Sequence, residues 1–228
     1  MSVELTETKK IWFKKIRDNK KIYTKDKVVL EHCKGKLVLD VGCVGQDIDY
    51  NSSNWIHSQV RDVAKNLLGV DINRDGIKEL NRQGYNVVHF EELEESEKFD
   101  TILMLDVIEH VNNPVEFLEN YIKFLKDDGE IIVTTPNSNR AINFINILFR
   151  NEYSLNYEHT FWLCPKTFME LVNRVEKIAI KDFFWLNHYT FPKNISWKSR
   201  LIYTIDKFLT KKRSYFIPNF MFILEFER

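Results

Sequence analysis

Cysteine is scarce in this chain of 228 residues: Cys33, Cys43 and Cys164 stand far apart and form no CxxC pair. That argues against a disulfide framework and against a cysteine-ligated zinc site, and for a reducing compartment. Net charge is lacking as well, with 33 basic residues against 33 acidic ones. A global basic field for nucleic acid is therefore absent, and only local patches remain. No apolar run is long enough to span a bilayer, so no transmembrane helix is expected. The first ten residues are polar, without the apolar stretch of a secretory signal, and the expected location is cytoplasmic. Glycine and proline are few, seven and five, so each one present is a strong mark of a turn or a helix boundary.

What is present is an ordinary apolar content of 44%, enough to build the core of one domain over 1–228. Buried-type strands are expected at 37–41, 68–72, 86–90, 99–105, 130–135, 178–186 and 220–226. Helical patterns fall between them, at 55–66, at 74–83 before Gly84, from Pro114 onward, and from Pro165 to about 175. Strand-then-helix alternation predicts an α/β fold, with a mostly parallel sheet and helices on both faces. Residues 5–34 read as a helical leader rich in lysine. Two segments interrupt the alternation, 140–162 and 187–218. The second holds an amphipathic stretch with Trp197, Leu201, Ile205 and Phe208 on one face.

Two strand ends carry the chemistry. Leu37-Val38-Leu39-Asp40-Val41-Gly42-Cys43 runs from an apolar strand through an acid into a glycine turn, where backbone can approach a ligand. Leu68-Gly69-Val70-Asp71-Ile72 is a second strand ending in an acid, the place where nucleotide-binding α/β folds grip ribose hydroxyls. The spacing from Asp40 to Asp71 exceeds the roughly 20 residues of a compact nucleotide-binding unit, so an extended first loop is expected over 46–56. A third segment, Phe99 to Val111, ends in Leu105-Asp106-Val107-Ile108-Glu109-His110.

Together these three segments resemble the class I S-adenosylmethionine-dependent methyltransferases, over roughly residues 20 to 185. The resemblance implies a Rossmann-like seven-stranded sheet with an antiparallel last strand, and inserts forming a substrate cap. It implies S-adenosyl-L-methionine as cofactor. Asp71 would hold the ribose, with Ile72 beside it. Gly42 and Cys43 would offer backbone to the methionine portion, and Asp40 would orient the loop or the amino group. Glu91 would sit by the adenine, and Leu105 and Asp106 would face the methionine end. Val44 and Gln46 stand where the family usually repeats glycine.

The acceptor is read from fewer signals. His159, among aromatic neighbours in the first insert, and His110 are candidate bases, since histidine titrates near neutrality. His188 is a weaker candidate. Glu109 with Asp106 could bind a divalent ion, as in some methyltransferases with a similar turn, but the pair is also a plain acid cluster at a helix start, so no metal is expected. The Asn/Asp-Pro-Pro-aromatic turn of base-directed amino-methyltransferases is missing after strand 99–105, and so is the nucleophilic cysteine of cytosine C5 enzymes. Nucleic acid is thus a poor expectation. A hydroxyl of a sugar, glycan or small molecule fits better, by analogy with glycan-cluster and quinone-type O-methyltransferases. Alternatives are an RNA-directed enzyme using the basic second insert, or a non-catalytic binding protein on the same fold. Within 193–213, Lys193, Lys198, Arg200, Lys207, Lys211, Lys212 and Arg213 face one acid, Asp206. With interleaved aromatics, that stretch is expected either to touch a membrane or other anionic surface, or to pack on the sheet with a wet basic face.

Overall fold

The computed structural model describes residues 6–45, 50, 52, 55–152, 156–186 and 196–227. Gln46, His188 and Lys193 lie outside the described residues. Eight strands form one sheet in the order β1-β7-β8-β6-β5-β2-β3-β4. β2 (Leu37–Val41), β3 (Asn66–Asp71), β4 (Val87–His89), β5 (Phe99–Leu105) and the outer half of β6 (Leu125–Pro136) pair in parallel. β8 (Asn219–Phe226) runs antiparallel to both β6 and β7 (Ile178–Leu186). The α/β architecture with an antiparallel last strand is as the sequence predicts.

The eighth strand comes from the leader. In place of one helix over 5–34 there are two, α1 (Glu7–Asp18) and α2 (Lys25–Cys33), separated by the short β1 (Ile22–Tyr23). β1 pairs in parallel with Trp185 and Leu186 at the end of β7. The helix stops because distant groups take its last carbonyls. The Trp185 indole N–H donates to Ile16 O, and the Ser214 hydroxyl donates to Arg17 O. Neither partner is local, so helical periodicity alone runs straight through the break.

Strand alternation sorts the core into two faces. Leu39, Val41, Ile102 and Met104 point toward α1, α5 (Pro114–Ile122) and α7 (Pro165–Val172), where Ile16, Leu118, Tyr121 and Phe168 meet them. Val38, Leu103, Ile132 and Met221 point the other way, toward Val28, Val29 and Cys33 of α2 and Val60 of α3 (Ile56–Val63). Leu67 belongs to β3, and Leu125 starts β6.

The chain reverses direction of winding between β2 and β5. From β2 it proceeds outward through β3 and β4, then returns to add β5 on the other side. In open α/β sheets the crevice at the carboxyl ends of such a switch point is where ligands bind.

Candidate active site

The carboxyl edge of the sheet lines up the sequence motifs side by side. Thr135 ends β6, Leu105 ends β5, Gly42 follows β2, Asp71 ends β3 and His89 ends β4, with neighbouring strands in that order. Gly42 sits at φ +74°, and a Cβ there would lie 2.6 Å from Val107 Cγ2. Only glycine lets the β2 turn and the β5 turn approach this closely.

Asp71 is half-buried. One carboxylate oxygen accepts the Val44 N–H at 2.9 Å and the other accepts the Asn73 N–H at 2.9 Å. A carboxylate has about four lone-pair sites, so each oxygen retains capacity for a further donor. It does not cap the helix after it. Asn73 does that for α4 (Arg74–Arg82), accepting from Gly76 N. Ile72 is 79% exposed beside it, an apolar surface without cover. Val44, which stands where a glycine is usual, is accommodated by a glycine elsewhere. A Cβ on Gly76 would lie 2.2 Å from Val44 Cγ1.

Asp40 and Cys43 lie beneath this edge. Asp40 is 3% exposed and meets His57 Nδ1 at 2.7 Å. The His57 ring stacks on Trp55 at 4.9 Å. Burial pushes the Cys43 thiol up, and nearby Asp40 and Asp71 push it further, so it remains a thiol. Gly69 makes room for both: a Cβ there would meet Cys43 Sγ at 2.7 Å and His57 Cε1 at 3.0 Å. Glu91 is exposed, in a single helical turn over 90–92, and pairs with Arg74 at 2.7 Å.

Asp106 occupies the left-handed region at φ 56°, a backbone state that costs energy in a non-glycine residue. It is held by Thr134, whose hydroxyl donates to Oδ1 at 2.9 Å, and by Lys25, whose ammonium donates to Oδ2 at 2.8 Å. Lys25 is on α2, so the leader reaches the strand ends. Both Asp106 carboxylate oxygens are thus engaged, one by Thr134 and one by Lys25.

Glu109 joins the two histidines instead. The Thr160 and Phe161 N–H groups donate to the Glu109 carbonyl at 2.8 and 3.1 Å, and the Thr160 hydroxyl donates to Val111 O at 2.8 Å. This clamp sets His159 against His110, with ring centroids 4.6 Å apart and planes nearly perpendicular. Glu109, His110 and His159 each bring a ligand atom within 4.8 Å of the others, a spacing able to share a proton or a cation. The Glu109 side chain is 1% exposed, and neither carboxylate oxygen has a hydrogen-bond partner. Burial, reinforced by the charge of Asp106, pushes its pKa up to about 8. Burial, then His110, lowers that of His159.

Glu109 and His159 line a cavity of about 350 Å³. Thr135 near the end of β6, with Asn137 and Ser138 after it, lines one side, and Asn143 of α6 (Ala141–Arg150) with the preceding Arg140 lines another. Asn156, His159, Phe161 and Trp162 close it. The first insert thus walls the cavity. The described part of the second, α8 (Trp197–Lys212), packs on α6 and does not line it. The sequence signal that reached this site was the Asp-x-x-Glu-His turn, but the turn is completed by His159 of the first insert, 50 positions after Glu109.

A family model for the methyltransferase domain matches residues 15–176. The chain belongs to the methyltransferase domain family. With it come the class I fold and the cofactor of that class, S-adenosylmethionine. Among curated relatives, the mitochondrial ubiquinone biosynthesis O-methyltransferase of Dictyostelium discoideum is 30% identical over 131 residues, covering 52% of this chain and 40% of that protein. The Rickettsia akari ubiquinone biosynthesis O-methyltransferase is 30% identical over 114 residues, 47% of this chain and 44% of the relative. The methyltransferase thus matches less than half the length of these two relatives. Among solved structures, a SAM-dependent methyltransferase from Archaeoglobus fulgidus superposes with a TM-score of 0.52 at 19% identity, covering 94% of this chain and 97% of that one. Magnesium protoporphyrin IX methyltransferase from Synechocystis, with bound SAH, gives 0.57 at 12% identity, covering 97% and 95%. At these identities the likeness is one of fold.

Proposed function

We propose that this methyltransferase alkylates a hydroxyl oxygen of a small molecule bound between the first insert and the ends of β5 and β6. The observation that carries this reading is the His159–His110–Glu109 group, of which Glu109 and His159 line the cavity. When bound, S-adenosylmethionine supplies an activated methyl group on a sulfonium.

The residues at the carboxyl edge fit such a cofactor. The Gly42 turn has no Cβ to obstruct it, the Asp71 oxygens have spare acceptor capacity for ribose hydroxyls, and Ile72 offers an apolar face for a base. The loop change to Val44 is absorbed by Gly76 and still directs an N–H to Asp71. That favours a cofactor-binding enzyme over a disabled copy of the fold. In this reading Leu105 and Asp106 border the methionine end, Gly42 serves it with backbone, and Asp40 and Cys43 support the loop from beneath.

Methyl transfer to a hydroxyl releases one proton. His159 takes it, because burial and neighbouring His110 favour its neutral, basic form. Glu109, holding its own proton near neutrality, does not compete as a charged acceptor. The Ser138 hydroxyl and the Asn156 amide suit a substrate with several oxygens, a quinol, a sugar or a polyphenol. The O-methyltransferase names of the curated relatives support the choice of oxygen.

The test is transfer of a labelled methyl group to a panel of hydroxylated small molecules, with His159→Ala alongside. Turnover on a phenolic or sugar hydroxyl that His159→Ala removes, at unchanged S-adenosylhomocysteine affinity, supports the reading. Labelling of RNA but of no small molecule refutes it.

A further inference from the structure

The apolar stripe of α8 faces the wrong way for a packed helix. Asp206 and Thr210 point inward and are buried, whereas Trp197, Leu201 and Phe208 are exposed. The spacing i, i+4, i+11 keeps these three on one line. The face read from sequence as a packing surface is thus turned to solvent. α6 presents a second apolar strip beside it, with Leu148 76% and Phe149 68% exposed. Seven of the eleven large apolar side chains exposed among the described residues lie on these two helices. Between them is an open cleft lined by Phe149, Trp197, Leu201, Ile202 and Ile205. A patch of this kind on one side of a protein marks an interaction surface.

Its rim identifies the occupant. Arg150 ends α6, and Arg200, Lys207, Lys211 and Lys212 are exposed along α8. The acid of α8, Asp206, is buried on the opposite face. A basic rim around aliphatic and indole side chains matches an anionic bilayer surface. There apolar groups enter the acyl boundary, Trp settles at the headgroup level, and long basic chains reach the phosphates. No described helix is long and apolar enough to cross a membrane, so the contact lies in the interface plane. α8, at 16 residues, is about 24 Å long, ample for such a footprint.

We propose that α6 and α8 form a docking face for an anionic phospholipid surface. Asn143 of α6 and Arg140 just before it line the proposed acceptor cavity. Docking therefore sets the mouth of the cavity close to the lipid, where a membrane-partitioned acceptor would arrive. The docking itself does not depend on the acceptor being a hydroxyl.

The experiment is co-sedimentation of the full chain with vesicles of phosphatidylcholine alone or mixed with phosphatidylglycerol, at about 0.1 M salt. Expected is binding to the mixed vesicles that falls as salt rises, and at least tenfold weaker binding to phosphatidylcholine. Lys211→Glu with Lys212→Glu should lower partitioning by roughly 25-fold or more, about fivefold for each basic residue. Leu148→Ser with Trp197→Ser should abolish it. Both variants change exposed side chains, and thermal unfolding confirms that they fold. Three outcomes overturn the proposal: no vesicle binding, binding that neither variant alters, or a protein dimer that Leu148→Ser with Trp197→Ser dissociates. Retention of single-stranded RNA without vesicle binding would assign the face to nucleic acid instead.

Discussion

Replacing Glu109 by Gln should change how stability depends on pH, and the sign can be worked from the structure. The folded chain keeps a proton on Glu109 up to about pH 8, whereas the unfolded chain releases it near the ordinary glutamate value of 4.5. Between those two values the folded state binds more protons than the unfolded one. Stability therefore falls as pH rises through that window and is flat, with respect to this group, on either side. Each pKa unit is about 1.36 kcal/mol. The loss is about 3 kcal/mol by pH 7 and about 5 kcal/mol above pH 8. Gln has the same shape and no ionisation, so it escapes the penalty. Near pH 5 the variant and the parent should differ little. At about pH 9 the variant should be the more stable by several kcal/mol, a large share of the 5–15 kcal/mol typical of a domain. Urea unfolding of both proteins across that range, in EDTA to remove adventitious cations, measures the difference directly. All other titrations cancel in the comparison to the extent that they are independent of Glu109. Parallel stability curves for the two proteins would show that the carboxyl ionises normally, and would refute the account of an unpartnered buried acid.

Asp71→Ala should weaken S-adenosylhomocysteine binding by roughly a hundredfold or more in calorimetry, since each hydrogen bond to a charged group contributes about 1.5–3 kcal/mol; unaltered affinity removes Asp71 from the ribose role. His159→Ala should cut turnover by roughly 100- to 10,000-fold, the range of general-base catalysis, and leave cofactor affinity intact; full activity eliminates it as the base. Gly76→Ala should lower cofactor affinity and thermal stability, because its Cβ would displace Val44 from above Asp71. Val44→Ala on the same background should restore much of both, and a double-mutant cycle with no coupling would contradict the packing.

The strand ends were legible because their causes are local. An apolar run followed by an acid and a glycine states its own geometry, and Gly42, Asp71 and Asp106 all fall on the carboxyl edge that such runs build. The helical break after Asp18 was not legible, since it is made by Trp185 and Ser214, far along the chain. The outward stripe of α8 was hidden for a related reason. Periodicity shows that Trp197, Leu201 and Phe208 share a face, but Asp206 and Thr210 decide which face turns inward.

The acceptor site has the same character. Glu109 and His110 are adjacent in sequence, yet their chemistry is set by residues 159–161, which fasten the insert to the Glu109 carbonyl. That clamp lays His159 over His110 and closes water away from the carboxyl. A sequence lists the groups that are present, but the raised pKa of Glu109 comes from its burial, reinforced by the charge of Asp106. The insert therefore does more than wall the cavity: it holds His159 over His110, against the turn that carries Glu109.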